Sequence, residues 1–146
     1  MTALSITVYG LPGPQGSKRA VIHKGTGRAV LFEHSHERVR NWREAVKSAV
    51  IDQMGESGVL TGPLAAVMIF TLPKPKSAPK TRQTWPDRKP DLSKLVRATE
   101  DALTDAAAWE DDARVVECKA AKRYPGEGAG ALVRPGCLIV IRQVSA

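Results

Sequence analysis

Apolar and polar positions alternate through "LSITVY", residues 4–9, the two-residue period of a half-buried strand, and "GLPGPQGSKR" ends it with three glycines and two prolines. The β-rich pieces "AVIHK" and "AVLFE" on either side of Gly25–Gly27 predict a hairpin. The period then becomes helical. Over 36–54, Val39, Trp42, Val46, Ala49, Val50 and Gln53 share one face, Ser35 is placed to cap the first turn, and Arg38, Arg40, Arg43 and Lys47 lie on the outer face. "LAAVMIFTL", 64–72, is short and continuously apolar, which suits a central strand, although a buried helix has the same periodicity. A second helix is expected from about Leu92 to Thr104, with Leu92, Leu95, Thr99, Ala102 and Leu103 inward. Two last strands follow in "ARVVECKAAKRY" and "CLIVIRQV", joined by the Gly-rich "PGEGAGALVRPG". This order predicts an α+β fold, residues 1–146 in one domain, with two main helices packed on one mixed or antiparallel sheet.

Charge narrows the partners. The 146 residues carry a formal net charge of +7 with a pI near 9.7, and such a surface attracts polyanions by its long-range field and by counterion release. Nucleic acid is the leading partner class, against the plainer reading that excess charge only aids solubility. No apolar run is long enough to span a bilayer, and the opening residues lack a secretory pattern, so a cytoplasmic protein without a membrane partner is expected. The cations concentrate in "PKPKSAPKTRQTWPDRKP", 73–90. There five prolines accompany Lys74, Lys76, Lys80, Arg82, Arg88 and Lys89, with Asp87 the one acid. Proline denies this stretch both helix and sheet, so it reads as a long solvated loop, a mobile basic arm for DNA phosphates with Trp85 available to stack on an unpaired base. Arg38, Arg40 and Arg43 offer a second phosphate-binding face, or simply a solvated one. Cys118 and Cys137 lie in apolar segments without metal spacing and are expected as buried, reduced thiols. His23, His34 and His36 show no ligand spacing and read as surface or turn residues.

Against this basic background the carboxylates of "KPDLSKLVRATEDALTDAAAWEDDARVV", 89–116, stand out. Phosphodiester hydrolysis commonly uses Mg²⁺ held by a few Asp or Glu oxygens. Acids also serve as ordinary caps and turn residues: Asp91 suits a helix N-cap, and Asp111 and Asp112 suit a turn. The segment resembles the signature of the RusA-type Holliday junction resolvases, in which Asp-Leu-Asp-Asn-Leu, a basic residue, Asp-Ala-Leu, a turn and Asp-Asp follow in this order. The resemblance implies a RusA-like, dimeric, Mg²⁺-dependent endonuclease of bacteria or their phages that cuts four-way DNA by paired symmetric nicks in recombination and repair.

Matched position by position, the resemblance makes Asp91 and Asp112 the metal ligands and places Arg97 near the scissile phosphate. Asp111 becomes an auxiliary acid. Lys94 stands where the family often has asparagine or lysine and joins the DNA-binding cations. Asp101 matches the aspartate of Asp-Ala-Leu; it lies about 15 Å along the helix from Asp91 and is given a structural role, pairing with Arg97 or capping a neighbour. Ser93 stands where the family has its second aspartate, which removes one charge and one oxygen ligand. A natural variant that binds without cutting, an engineered inactive form, or a working site completed by a water or another acid all remain open. Glu100, about 10 Å from Ser93 along the helix, is disfavoured as that acid. Asp91 begins the helix and Asp112 follows its end, so one metal joins them only if 105–111 runs back along the helix or a second subunit supplies one of them. Two readings compete with the nuclease: a catalytically silent branched-DNA-binding protein of the same fold, and an unrelated RNA- or ribosome-associated basic protein.

Overall fold

The computed structural model describes residues 3–16, 18–22, 29–33, 36–55 and 58–145; Ser35, His23, His34 and the turn at Gly25–Gly27 lie outside them. Strand β1 (Ala3–Tyr9) is followed by β2 (Lys18–Ile22), β3 (Ala29–Glu33), helix α1 (His36–Met54), β4 (Leu64–Thr71), helix α2 (Leu92–Asp105), a 3₁₀ turn at Asp112–Arg114, β5 (Val115–Arg123) and β6 (Gly136–Gln143). The fold is α+β, with a four-stranded mixed sheet ordered β1-β6-β4-β5. The first hairpin differs from expectation in one respect. β2 and β3 pair antiparallel, Lys18 with Glu33 through Ile22 with Ala29, but as a separate two-stranded sheet.

Each element follows from its pattern. Alternation in β1 buries Ile6 and Val8 and leaves Ser5 and Tyr9 outside, whereas β4, flanked by β6 and β5, is buried almost throughout. Helix α1 buries Val39, Trp42, Val46, Val50 and Met54; α2 buries Leu95, Ala98, Thr99, Ala102 and Leu103. Gln53, expected inward, is exposed: its carboxamide accepts from Thr7 N at 2.8 Å and donates to Thr7 O at 2.6 Å, completing the backbone pairing of edge strand β1. Trp42 meets Phe70 at 6.4 Å between ring centroids, and Trp109 is as deeply buried as Trp42.

Parallel strands β4 and β5 require a crossover, and α2 supplies it, running antiparallel to both. The register shows the direction. Leu64 pairs with Val115 at one end and Thr71 with Arg123 at the other, where Leu72 N donates to Arg123 O at 2.8 Å. At that second end Lys122 Nζ donates to Arg88 O at 2.7 Å and Pro90 O at 2.9 Å, fixing the start of α2 beside the end of β5. Asp112 lies beyond the other end of α2, just before β5 begins. Residues 106–111 therefore do not run back along the helix: Ala106 N and Ala108 N close its last turn, and Trp109 bridges to Leu60 beside the start of β4. Among the described residues no helix is long and apolar enough to cross a membrane.

Candidate active site and nucleic-acid interface

Asp91 occupies the N-cap position of α2 with extended backbone, and its carbonyl accepts from Lys94 N and Leu95 N at 3.2 and 3.1 Å. Its carboxylate makes no cap hydrogen bond. An N-cap aspartate ordinarily turns its oxygens onto the first free amides; here they face solvent, 3.5 Å from Lys94 Nζ. Ser93 and Arg97 are exposed on the same helix. The Pro-Gly turn leading into β2 packs against this end: Gln15 N donates to Lys94 O at 3.0 Å, and Gln15 Oε1 is buried without a partner. Gly13 lets the same turn lie against α1, since a Cβ there would lie 2.5 Å from Arg38 O.

The opposite end of α2 gathers the remaining acids. Burial and a hydrogen bond with Asp111 raise the Asp112 carboxyl above its ordinary range, and the charges of Asp111 and Asp101 add to this. Glu100 is raised first by burial and then by Asp112 and Asp101. Asp101 therefore belongs to this acidic group, and no ion pair with Arg97 is found among the described residues; Asp101 and Arg97, although i and i+4, do not meet. Glu100, disfavoured from its distance to Ser93, lies within electrostatic reach of Asp112 instead. Helical spacing separates Glu100 from Asp91 but carries no record of the residues packed beyond the end of the helix.

These are hard oxygen donors of the kind Mg²⁺ takes. They form two separate groups, however. Asp91 and Asp112 lie at opposite ends of a 14-residue helix, about 20 Å apart along its axis, and among the described residues no three His, Cys, Asp or Glu side chains come together to hold a metal within one chain. Donor chemistry fits; the donor count of a single chain does not.

The cations divide into bound and free. Lys74 Nζ contacts Glu127 Oε2 at 2.5 Å and Arg82 O at 3.2 Å, and lies 5.7 Å from the centre of the Tyr124 ring. Arg38 Nε donates to Pro12 O at 2.9 Å, and burial lowers the pKa of its guanidinium. Arg43 reaches Asp105 at 2.5 Å, tying α1 to α2, with Lys47 3.7 Å from the same carboxylate. Lys74, Arg38 and Arg43 thus each have a partner within the protein. Arg40, Lys76, Lys80, Arg82, Arg88 and Lys89 are exposed and form no side-chain ion pair among the described residues.

Residues 73–90 have no regular structure, as expected, but they are strapped down. Glu127, in the Gly-rich connection read as a plain linker, accepts from both Lys74 Nζ and Thr84 N (2.9 Å), and Lys122 holds the far end. These bonds keep the Glu127 carboxyl below its ordinary range. A lone acid among glycines was the only sequence sign of this anchor. Trp85, 59% exposed, has the Arg123 guanidinium 5.3 Å from its ring centre, so one face is backed by a cation. The thiols split as well: Cys137 is buried as expected, but Cys118 is exposed on β5. Burial of part of the Cys118 side chain, with Glu100 nearby, raises its pKa.

The family model for endodeoxyribonuclease RusA matches residues 12–134, from the Pro-Gly turn through both groups of acids to the connection before β6. No curated protein matches the chain.

Proposed function

The chain belongs to the RusA endodeoxyribonuclease family, whose members act on Holliday junctions; on that premise we propose that it is a Mg²⁺-dependent, homodimeric resolvase making paired nicks in branched DNA in the cytoplasm. The observation that carries the site assignment is the Asp91 carboxylate, which stands at a helix N-cap yet leaves the helix amides alone. Asp91 and Asp112, supplied by different subunits, would hold the metal, with Asp111 as auxiliary. Bound Mg²⁺ supplies Lewis-acid polarisation of the scissile phosphodiester.

The remaining tasks fall to this chain's own residues. Arg97, in the second turn of α2 and exposed, neutralises charge building on the phosphate. Lys76, Lys80, Arg82, Arg88 and Lys89 bind flanking phosphates from the strapped loop, with Arg40 and Lys94 extending the basic track. Trp85 presents its open face to an unpaired base at the branch point.

A second reading, a silent junction-binding protein, is favoured by Ser93, whose neutral hydroxyl stands in the first turn where a third carboxylate would complete the donor set. One experiment separates the two. The protein and its Ser93→Asp variant are compared on a labelled immobile junction with Mg²⁺, scoring binding and symmetric nicking together. Nicking by the unaltered protein establishes a working site with serine. Binding with nicking only by Ser93→Asp establishes a silenced resolvase, and nicking by neither rejects the metal ligands assigned above.

A further inference from the structure

Trp85 and Asp87 share a hollow of about 450 Å³ with Arg82, Thr84, Arg88 and Tyr124, walled by prolines of the strapped loop. Its size lies within the range of small-ligand sites. The loop is fastened before anything binds: Glu127 accepts from Lys74 Nζ and Thr84 N, Lys74 reaches Arg82 O, and Lys122 donates to Arg88 O. The hollow is therefore preformed.

Two polar groups in it are unused. Thr84 Oγ1 is buried without a hydrogen-bond partner, a costly state for a hydroxyl. The Asp87 carboxylate, the one acid among the loop's cations, has no ion pair or hydrogen bond among the described residues. Beside DNA its charge repels the phosphates that those cations attract, so phosphate binding gives no reason for it. Asp87 N donates to Trp85 O at 2.8 Å, with Pro86 buried between the two residues, and this tight turn fixes the acid relative to the indole. A hydrogen-bond acceptor beside an aromatic face suits the edge of a stacked base, and the exocyclic amine of adenine, cytosine or guanine is a donor such an edge offers.

We propose that this hollow is a base-reading pocket: it takes one unpaired nucleotide, stacks the base on the open face of Trp85, and selects through Asp87 and Thr84 a base that carries an exocyclic amine. Arg82 and Arg88 hold the flanking phosphates. The inference rests on the DNA reading given above and adds a selectivity that stacking lacks, since every base has a face to stack. The Arg123 guanidinium, 5.3 Å from the centre of the indole ring, backs the other face, so a single base is accommodated. Thymine is disfavoured, because its edge sets carbonyl oxygens against the carboxylate. The Thr84 hydroxyl, able to donate or accept, supplies the second contact.

Short single strands in metal-free buffer test the pocket apart from any cutting. Trp42 and Trp109 are each 1% exposed, so quenching of indole emission on binding reports Trp85. Strands of eight deoxyadenosines are compared with strands of the unsubstituted purine, which differ only by the amine; their charge is equal, so counterion release cancels. The adenine strand should bind roughly tenfold more tightly, the scale of one good base-edge contact. Asp87→Ala should erase that difference while tightening both strands, because a negative charge is removed. Thr84→Val should weaken adenine binding, and Thr84→Ser should restore it. Equal affinity for the two strands, a difference that survives Asp87→Ala, or binding without quenching overturns the pocket; if the same protein still nicks junctions, the nuclease reading stands. Discrimination through Asp87 by a protein that nicks no junction, with serine or aspartate at position 93, upholds the pocket and rejects the nuclease reading.

Discussion

The indole N–H of Trp42 donates to Thr99 Oγ1 at 3.0 Å inside the core, and the Thr99 hydroxyl donates in turn to Leu95 O at 2.8 Å. One buried hydroxyl thereby sets the position of α2 against α1, and with it the direction in which Asp91 and Arg97 project. Thr99→Val keeps the volume but leaves the indole N–H unpaired in an apolar site, a loss of roughly 1–3 kcal/mol. Urea unfolding should show that loss, and Thr99→Ser should recover most of it.

The strap on the basic loop is sensitive to acid. The Glu127 carboxyl is lowered from 4.5, chiefly by Lys74 and then by Thr84 N–H, so its contribution is present above that value and disappears as pH falls through the lower folded value. Hydrogen exchange at the Thr84 amide, corrected for its intrinsic pH dependence, should accelerate below pH 4.5, and Glu127→Gln should accelerate it at pH 7.

The acids at the other end of α2 behave in the opposite sense. Asp112 and Glu100 are raised, so the folded chain holds their protons more tightly than the unfolded chain; stability is greatest below the unfolded values of 3.8 and 4.5 and falls as pH rises through the folded ones. Asp111→Asn relieves part of this repulsion. It should stabilise the metal-free protein at pH 7 by about 0.2–0.5 kcal/mol, the scale of an exposed charge pair, and the gain should vanish near pH 3. Thermal unfolding across that range is the check.

Free and occupied cations should differ in their salt dependence. Neutralising Lys76, Lys80 or Lys89 to Gln should lower junction affinity and remove about 0.9 from the slope of log K against log salt for each DNA phosphate no longer neutralised. Lys74→Gln, at a side chain already engaged with Glu127, should leave the slope nearly unchanged while raising Thr84 exchange.

Much of the architecture was legible in local pattern. Period-two and period-3.6 spacing place β1, α1 and α2 within a residue or two of their observed bounds, because burial of one face is a local property of the chain, and β4 shows as a short continuous apolar run. The order of acids around α2 marked the family, and the proline-rich cations marked an irregular basic segment. Tertiary structure decided the rest, because it depends on partners distant in sequence. Glu127 captures Lys74 across 53 residues, Asp105 captures Arg43 across 62, and so the basic residues sort into those that hold the fold and those without an ion pair among the described residues. The parallel pairing of β4 with β5 brings Glu100 to Asp112, parts Asp112 from Asp91, and leaves Cys118 on an open edge. Strand order and crossover direction are set by which sheet edges and helix faces pack together, and residue spacing alone does not record that choice.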